Sequence, residues 1–225
     1  GEEAVKIIVA DPENTVRFVK RLMGEDGVKL HFHGEDYTPQ AISALILKKL
    51  REDAEEVLGH PVRKAVIAVP AYFNSAQRAA TAGAGRLAGL EIRSMINEPT
   101  AAAIAHGLER FGKDRRLMVF DLGGGTFDVS ILELSKDVIE VLATSGHTFL
   151  GGEDLDRRVV SHLVEWFQQD SGIDLRSDTM ALQRLKDAAE KAKCDLSLRD
   201  STEINLPFIA SDAEAPKHLN YTLTR

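Results

Sequence analysis

The chain has 225 residues, of which 44% are hydrophobic and 28% are charged, and its formal net charge is −7. This globular composition excludes collagen-like, low-complexity and disordered classes, and no run of about 18 uncharged apolar residues predicts a membrane-spanning helix. The acidic excess argues against nucleic acid or an anionic membrane as a partner. The single cysteine, Cys194, cannot form an internal disulfide, and the acidic first residues do not resemble a secretory leader. We therefore expect a cytoplasmic protein.

The first sixty residues predict two helices with a short strand between them. A helix is expected over 12–23, with Val16, Val19 and Leu22 facing inward, and a strand over Lys29–His33. A second helix runs from Thr38 and Pro39, which are typical start residues, to Gly59, a typical end. Its apolar residues recur at helical spacing and are expected to be buried: Ile42, Leu45, Ile46, Leu50, Ala54, Val57 and Leu58.

Residues 65–106 predict the alternating order of an α/β fold. The apolar run Ala65–Val69 is typical of a strand covered on both faces, and Glu91–Ile96 predicts a second strand. Helices are expected over 74–88 and 97–106, each capped by its leading asparagine. Strands joined through a helix in this way form a parallel sheet.

The pattern changes after a mixed-charge loop, Gly107–Arg116, where we place the boundary between two lobes. Three strands joined by short turns predict an antiparallel meander, and two helices and two strands follow. Their expected bounds are Leu117–Leu122, Phe127–Leu134, Val138–Thr144, Glu153–Asp170, Thr179–Leu196, Thr202–Ile209 and Leu219–Thr224. The first of these helices is expected to bury Leu155, Val159, Val160, Leu163, Val164 and Phe167.

Three stretches resemble known binding motifs, but the residues around them argue against those motifs. Residues 107–113 almost spell a P-loop, but Asp114 stands where the motif needs a hydroxyl, and the stretch follows a helix. Residues 83–89 resemble a dinucleotide fingerprint but fall inside a predicted helix, where small residues favour close packing. His31 and His33 have no third metal ligand in the pattern and predict a surface strand.

The stretch that begins at Phe120, Phe-Asp-Leu-Gly-Gly-Gly-Thr-Phe-Asp, has the residues of a phosphate site between two strands. Gly123–Gly125 allow positive φ angles and let backbone N–H groups approach an anion. Thr126 adds a hydroxyl, and Asp121 and Asp128 are candidate ligands of a hydrated magnesium ion. The alternative is a glycine-rich hairpin with two solvated carboxylates. Three consecutive glycines lose considerable chain entropy on ordering, which favours the phosphate site.

Gly151, Gly152 and Glu98 are each open to two interpretations, and Lys20 has an ordinary one. Gly151 and Gly152 lead into a helix N-terminus, which attracts phosphate, but the acidic residues after them equally fit a plain capped turn. Glu98 opens a predicted helix, where an ionised carboxylate either orients water near a metal or simply caps the helix. Lys20, taken alone, is an ordinary solvated lysine.

Together these motifs resemble the ATPase domain of the 70-kilodalton heat-shock chaperones, of bacterial or organellar type. That family belongs to the actin-like ATPase superfamily, whose glycine turn joins strand to strand, as predicted around Gly124. The matching stretches cover essentially the whole chain: Val69–Phe73, Asn97–Ala103, Asp121–Asp128, Leu150–Asp154, Arg184–Lys186 and Ala189–Lys193. The resemblance implies an α/β, actin-like (ribonuclease-H-like) ATPase fold, present here in part.

The resemblance also implies roles around bound ATP or ADP, Mg²⁺ and K⁺. Lys20 matches the catalytic lysine that orients the attacking water and touches the γ-phosphate. Glu98, Asp121, Thr126 and Asp128 match the polar residues around the phosphates and the magnesium ion. Among these, Glu98 and Asp121 are expected to reach the metal through water.

The resemblance also implies residues that contact the nucleotide and two residues that transmit the nucleotide state. The nucleotide residues are Gly123, Gly124 and Gly125 in the phosphate loop, Gly151 and Gly152 in the second turn, and Glu190, Lys193 and Ser197 beside ribose and adenine. Pro70 and Arg78 match a proline switch and its arginine partner. In the family these relay the nucleotide state to a peptide-binding domain, so that ATP hydrolysis is coupled to binding and release of unfolded polypeptides.

The chain departs from the family pattern in ways that bear on activity and partners. The family's first glycine–threonine phosphate loop and later adenosine loop have no counterpart in these residues, so we expect no turnover from them alone. Family partners are a J-protein co-chaperone and a nucleotide-exchange factor, but Ser94, beside Arg93, replaces an arginine used by the J-protein. The expected division is 1–108, later half of lobe I; 109–172, first half of lobe II; and 173–225, part of its cap subdomain.

Two other functions stay open. A fragment with incomplete sheets could self-associate through exposed strand edges without turnover. A filament-forming or sugar-kinase relative on the same fold is disfavoured by the stretches Val69–Phe73 and Asn97–Thr100, which resemble the chaperones.

Overall fold

A computed structural model describes residues 7–8, 11, 14–106, 114–135, 138–212 and 215–225. The chain forms two compact units, one of residues 13–150 and one of residues 1–12 with 151–225. The near-P-loop and most of the predicted lobe boundary, 107–116, lie outside the described residues. None of the described helices combines the length and apolarity that a membrane crossing requires.

The unit of residues 13–150 contains a small β1–β2 hairpin, a parallel pair of strands and a three-stranded antiparallel sheet, and the last two are formed by predicted strands. Its elements are a 3-10 turn, Val19–Leu22, then β1 Leu30–Phe32, β2 Glu35–Tyr37, α1 Pro39–Leu58, β3 Lys64–Val69, α2 Ser75–Leu87, β4 Glu91–Asn97, α3 Glu98–Ala105, β5 Arg115–Leu122, β6 Phe127–Ser135 and β7 Val138–His147. Strands β3 and β4 pair in parallel, whereas β5, β6 and β7 form an antiparallel meander. The alternating order and the meander expected from the sequence are confirmed.

The helix boundaries follow from side-chain caps and a left-handed glycine. Thr38 accepts a hydrogen bond from the Ala41 N–H (3.1 Å) at the start of α1, and Gly59, with φ 71°, ends that helix. Asn74 and Gln77 form a reciprocal capping box at the start of α2. These contacts satisfy backbone groups that a helix end leaves without partners.

The predicted helix over 12–23 is wrong. Among the described residues 14–23 only the 3-10 turn forms, because Phe18 just before it has φ 57°, a left-handed conformation that an α-helix cannot continue through. Gly24, with φ +79°, then turns the chain against α2, where a Cβ would lie 2.8 Å from the Gln77 nitrogen. Tertiary packing thus overrides the apolar spacing of this segment.

The apolar stripe of α1 is exposed for most of its length. Ala44 and Leu47 pack with Met23 and Ala84, but exposure is high at Leu45, Ile46, Leu50, Val57 and Leu58. The helix meets α2 through Ala44 and Leu47, whereas the apolar residues on its other faces remain exposed; Ile42 is buried as expected. Strand β3 behaves similarly: Val66 is 57% exposed, which contradicts the expectation of cover on both faces.

Close packing explains the small residues of α2. A Cβ on Gly85 would lie 2.5 Å from Ile92 Cδ1 on β4 and 3.0 Å from Ile67 Cδ1 on β3. The interpretation of residues 83–89 as a packing surface is therefore confirmed.

The second unit places two helices against a long hairpin. Its elements are α4 Gly152–Ser171, a 3-10 turn Leu175–Ser177, α5 Thr179–Leu196, β8 Ser201–Ser211 and β9 Pro216–Thr224. Its core includes the predicted Val160, Leu163, Val164 and Phe167. Leu155 is 45% exposed instead of buried, because its position on α4 turns it away from the face that carries Phe167.

Candidate functional site

The glycine-rich loop joins β5 to β6 as the sequence predicted. Asp121 and Asp128 lie opposite each other in the ladder, and the Gly123 N–H donates to the Thr126 carbonyl (3.0 Å). None of Gly123–Gly125 has a positive φ, so that expectation is wrong. A Cβ on Gly124 would meet no atom within 4 Å. The fold itself does not require glycine there, and the loop presents open backbone.

Lys20 and Glu98 form an ion pair at this loop's end of the unit. Lys20 Nζ lies 2.7 Å from Glu98 Oε1, and the lysine side chain is about half exposed. Lys20 is thus solvated, as expected from the sequence alone, but it is also paired, and Glu98 begins α3 as expected. Asn97 precedes that helix, but its side chain makes no capping bond.

Asp128 is the most buried carboxylate of the loop, with 3% exposure. Burial raises its pKa above the ordinary 3.8, and the charges of Glu98 and Asp121 raise it further. A backbone hydrogen bond from Tyr72 and the Lys20 charge act in the opposite direction. Its Oδ1 atom is buried and accepts no hydrogen bond. A buried acceptor without a donor is energetically costly, and a cation or its bound water would relieve that cost.

The carboxylates at this loop have donor atoms of the kind that magnesium binds. Glu98, Asp121 and Asp128 offer the hard oxygen donors that Mg²⁺ prefers, and Mg²⁺ usually keeps several waters. Among the described residues no three His, Cys, Asp or Glu side chains converge closely enough to hold a metal ion. The orphan Asp128 oxygen is the observation that fits a cation or its bound water here.

Two residues of this site are absent from the sequence-based prediction. Arg21 Nε donates to the Gly125 carbonyl (2.9 Å), which ties the loop to the 3-10 turn. Gly146 lies opposite Asp128 in the β6–β7 ladder, where a Cβ would come within 2.6 Å of both Asp128 Oδ1 and the Phe127 carbonyl. The predicted strand ended at Thr144, two residues before Gly146, whereas β7 continues to His147; a glycine inside a strand often marks such a close approach.

Arg78 gathers four acceptors around the end of β3. Its guanidinium donates to the carbonyls of Phe73 (3.0 Å), Ala71 (3.1 Å) and Pro70 (3.3 Å) and to Asn97 Oδ1 (2.9 Å). The predicted pair of Pro70 and Arg78 is thus in contact. Arg78 also donates to Asn97, the residue that directly precedes Glu98.

In the second unit, the side chain of Asp154 caps the N-terminus of α4. The Gly151 N–H donates to Asp154 Oδ2 (2.9 Å), as in the capped-turn interpretation. Lys193 donates to the Gly152 carbonyl (3.3 Å) and to Asp156 Oδ2 (2.8 Å). A single lysine therefore links α5 to the N-terminal turn of α4.

The two other adenosine candidates lie on α5 or at its end. Glu190 is exposed, and Ser197 is the C-cap residue. Spacings of three and four residues from Lys193 place both on the same side of the helix as that lysine. His31 lies on the exposed β1–β2 hairpin, where its Nδ1 contacts Asp36 Oδ1 (3.2 Å).

Known proteins match the chain along its whole length. A family model described as Hsp70 protein matches residues 1–225. The chaperone protein DnaK of Thermosipho africanus (strain TCF52B) is 56% identical over 225 residues, which are 100% of this chain and 38% of that relative.

Proposed function

The chain belongs to the Hsp70 family, and we propose that it forms part of a chaperone ATPase domain that couples ATP binding and hydrolysis to binding and release of unfolded polypeptides. Family membership implies the actin-like ATPase fold, and the described mixed α/β structure is consistent with it. Because the chain spans 38% of the DnaK relative, the activity belongs in this proposal to the longer protein.

One observation carries the proposal: an open glycine loop meets a lysine–glutamate pair and two aspartates. Lys20 Nζ contacts Glu98 Oε1 at 2.7 Å. The negative charges of Glu98 and Asp121 raise the pKa of the Asp128 carboxyl. Loop N–H groups, a lysine and carboxylates that hold metal-bound water are the components that phosphoryl transfer needs.

In the proposed reaction each residue positions a group or neutralises charge. The backbone of Gly123–Gly125 and the Thr126 hydroxyl hold phosphate oxygens. Lys20, fixed by Glu98, orients water for in-line attack on the γ-phosphate and balances the developing charge. Asp121, Asp128 and Glu98 would hold the waters of a bound Mg²⁺, and the ion would supply charge neutralisation at the phosphates. We also propose a K⁺ ion beside the phosphates.

Contacts with adenosine are proposed for α5 and the turn before α4, within the unit that contains residues 151–225. Glu190, Lys193 and Ser197 would contact ribose and adenine, and Gly151 and Gly152 would line the turn. The family-implied division also remains proposed: residues 1–108 in lobe I, 109–172 in lobe II and 173–225 in its cap subdomain.

The proposed partners follow from the family. They are unfolded polypeptides, a J-protein and a nucleotide-exchange factor, in the bacterial cytosol or an organelle matrix. Arg78 and Pro70 would relay the nucleotide state, and their contact through Asn97 to the start of α3 supports that role. Ser94 is exposed on β4 and lacks the arginine's charge, so we propose weakened J-protein docking.

A second candidate is self-association of this fragment without turnover. It is favoured by exposed apolar residues on strands β3 and β5, namely Val66, Met118 and Phe120. A sedimentation experiment that gives a monomer mass at every concentration would contradict it.

Calorimetric titration of the chain with MgATP tests the nucleotide site, with Thr126→Ala as the variant and Thr222→Ala, exposed on β9, as the control. We expect binding that Thr126→Ala weakens and Thr222→Ala leaves unchanged. A folded chain that binds no MgATP would contradict a preformed half-site in these residues.

A further inference from the structure

Arg21 lies between the glycine loop and the residue that precedes the 3-10 turn. Its Nε donates to the Gly125 carbonyl at 2.9 Å. Its Cζ lies 5.7 Å from the centroid of the Phe18 ring, within the range of a cation–π contact. Phe18 has a φ of 57°, a left-handed conformation that a bulky residue keeps only where the surrounding structure imposes it. The strained phenylalanine therefore supports the arginine that contacts the loop.

Gly125 is a glycine for a different reason from Gly124. A Cβ on Gly125 would lie 3.3 Å from Arg21 Nε, closer than an ordinary van der Waals contact. A Cβ on Gly124 would meet no atom within 4 Å. Glycine at position 125 thus lets the arginine side chain approach the backbone of the loop.

The bond from Arg21 fixes a whole peptide unit of the loop. The Gly125 carbonyl and the Thr126 N–H belong to one planar trans peptide, in which the two groups point in opposite directions. Because Arg21 holds the carbonyl on its own side, the Thr126 N–H points away from Arg21. Among the described hydrogen bonds of the loop, this N–H has no acceptor. An anion at the loop could therefore accept a hydrogen bond from it without displacing a protein partner.

Arg21 is also the chain neighbour of Lys20, and the two side chains hold different parts of the candidate site. Lys20 Nζ contacts Glu98 Oε1 at 2.7 Å, whereas Arg21 bonds the loop. Both residues belong to the short 3-10 turn Val19–Leu22. The turn therefore sets the position of the lysine cation relative to the backbone donors of the loop.

We propose that Arg21 is a positioning residue of the phosphate loop: by holding the Gly125 carbonyl it presents the Thr126 N–H to a phosphate oxygen, and its place beside Lys20 aligns that donor with the lysine. The inference rests on the proposed nucleotide-binding function and deepens it. What Arg21 contributes is the location of its Nε donor, and its charge is not required for this role.

Two substitutions separate the donor from the charge. In Arg21→Lys the charge stays, but a methylene group takes the place of Nε along the side chain. In Arg21→Gln the charge is lost, but the amide nitrogen is attached to Cδ, as Nε is in arginine, and keeps an N–H there. A positioning role is lost in the lysine variant and kept in the glutamine variant, whereas an electrostatic role shows the reverse.

The test measures N–H orientation and phosphate affinity in the folded chain. Residual dipolar couplings report the direction of the Thr126 N–H, and calorimetry with inorganic tripolyphosphate in Mg²⁺ reports binding. We expect Arg21→Lys to change the Thr126 coupling and to weaken tripolyphosphate about tenfold, and Arg21→Gln to keep the coupling and stay within about twofold of wild-type affinity. Arg116→Lys, which removes an Nε bond to Glu133 (2.8 Å) at the other end of the β5–β6 ladder, is the matched control and should change neither.

Other outcomes would overturn the proposal in distinguishable ways. Weaker binding in Arg21→Gln than in Arg21→Lys would identify an electrostatic role. A lower melting temperature of Arg21→Lys with an unmoved Thr126 coupling would identify a purely structural tie.

The wild-type chain separates failure of this inference from failure of the proposed function. If it binds tripolyphosphate and Arg21→Lys binds it equally well, the inference alone is refuted. If it binds neither tripolyphosphate nor MgATP, the proposed function is contradicted as well. If Arg21→Lys does not fold, Arg21→Gln decides: wild-type coupling and affinity support the proposal, and loss of either refutes it.

Discussion

Lys20 and Glu98 lie 78 residues apart in the sequence and 2.7 Å apart between Nζ and Oε1. The pair joins the 3-10 turn before β1 to the first residue of α3. Ion pairs this exposed contribute about 0–1 kcal/mol to stability. Its importance therefore lies in placing a cation and a carboxylate beside the glycine loop.

Replacement of Lys20 should separate stability from catalysis. We expect Lys20→Met to change the free energy of unfolding by less than about 1 kcal/mol, because the pair is exposed. In the longer ATPase it should lower turnover by about 10²–10³-fold, as for loss of one charge-stabilising donor. Urea denaturation and steady-state ATP hydrolysis measure the two effects. Lys49→Met, which removes an exposed pair with Asp53 on α1, is the control and should leave turnover intact.

The raised pKa of Asp128 predicts a pH-dependent stability. Because this pKa lies above the ordinary 3.8 in the folded chain, the native state binds the proton more tightly than the unfolded state. The stabilisation that the proton provides is complete below 3.8 and is lost as pH rises through the folded pKa. At neutral pH without Mg²⁺, Asp128→Asn should therefore raise the melting temperature.

The rise in melting temperature from Asp128→Asn should become smaller at low pH, where Asp128 is protonated. It should also become smaller with Mg²⁺, because the cation balances the charge of the ionised carboxylate. Melting curves from pH 4 to pH 8 measure it, with Glu140→Gln, exposed on β7, as the control. A destabilising Asp128→Asn at neutral pH would show that the ionised form is the better accommodated one.

Gly146 should be intolerant of any side chain. We expect Gly146→Ala to lower the free energy of unfolding by about 1–3 kcal/mol, the usual cost of overpacking. The reason is that its Cβ would lie 2.6 Å from both Asp128 Oδ1 and the Phe127 carbonyl. Chemical denaturation measures the loss, and a neutral result would mean that β7 shifts without penalty.

Gly124 should show the opposite behaviour. Its Cβ would enter open space and its φ is not positive, so Gly124→Ala should leave stability unchanged or raise it by about 0.4–1 kcal/mol. The same methyl would project from the loop that we propose holds phosphate, and MgATP binding should weaken. Unaltered binding would exclude close contact between Gly124 and the nucleotide.

Arg78 should not be replaceable by lysine. A lysine cannot reproduce the fork that reaches four acceptors. Arg78→Lys should lower the free energy of unfolding by about 1–3 kcal/mol through carbonyls left without donors. Arg93→Lys, in an exposed pair with Glu91, is the control with an expected change below about 0.5 kcal/mol. Equal effects of the two substitutions would remove Arg78 from the relay.

The sequence predicted the elements whose signals are local. Capping residues such as Thr38 and Asn74 and the left-handed Gly59 act within a turn or two, and the structure has them where expected. Phe18 shows the limit, because its left-handed φ is imposed by the surroundings and interrupts an otherwise helical pattern. Exposure of Val57 also could not be inferred, since periodicity shows that a face is apolar but not that another element covers it.

In the candidate site, too, local features could be predicted from the sequence and tertiary contacts could not. The turn between Asp121 and Asp128 was predicted from its three glycines and joins β5 to β6 in the structure. The phosphate that it would hold stays a prediction. The contacts of Arg21 with Gly125 and of Gly146 with Asp128 depend on tertiary geometry. No spacing rule connects residues that are far apart in sequence and meet only in the folded unit.

The most direct test of the proposed phosphate site is a backbone-amide NMR titration of the chain with MgATP. We predict saturable shifts, largest at Gly123, Gly124, Gly125 and Thr126, because their N–H groups would bond phosphate oxygens. A well-dispersed spectrum in which these amides stay fixed under saturating MgATP would contradict a nucleotide site at this loop.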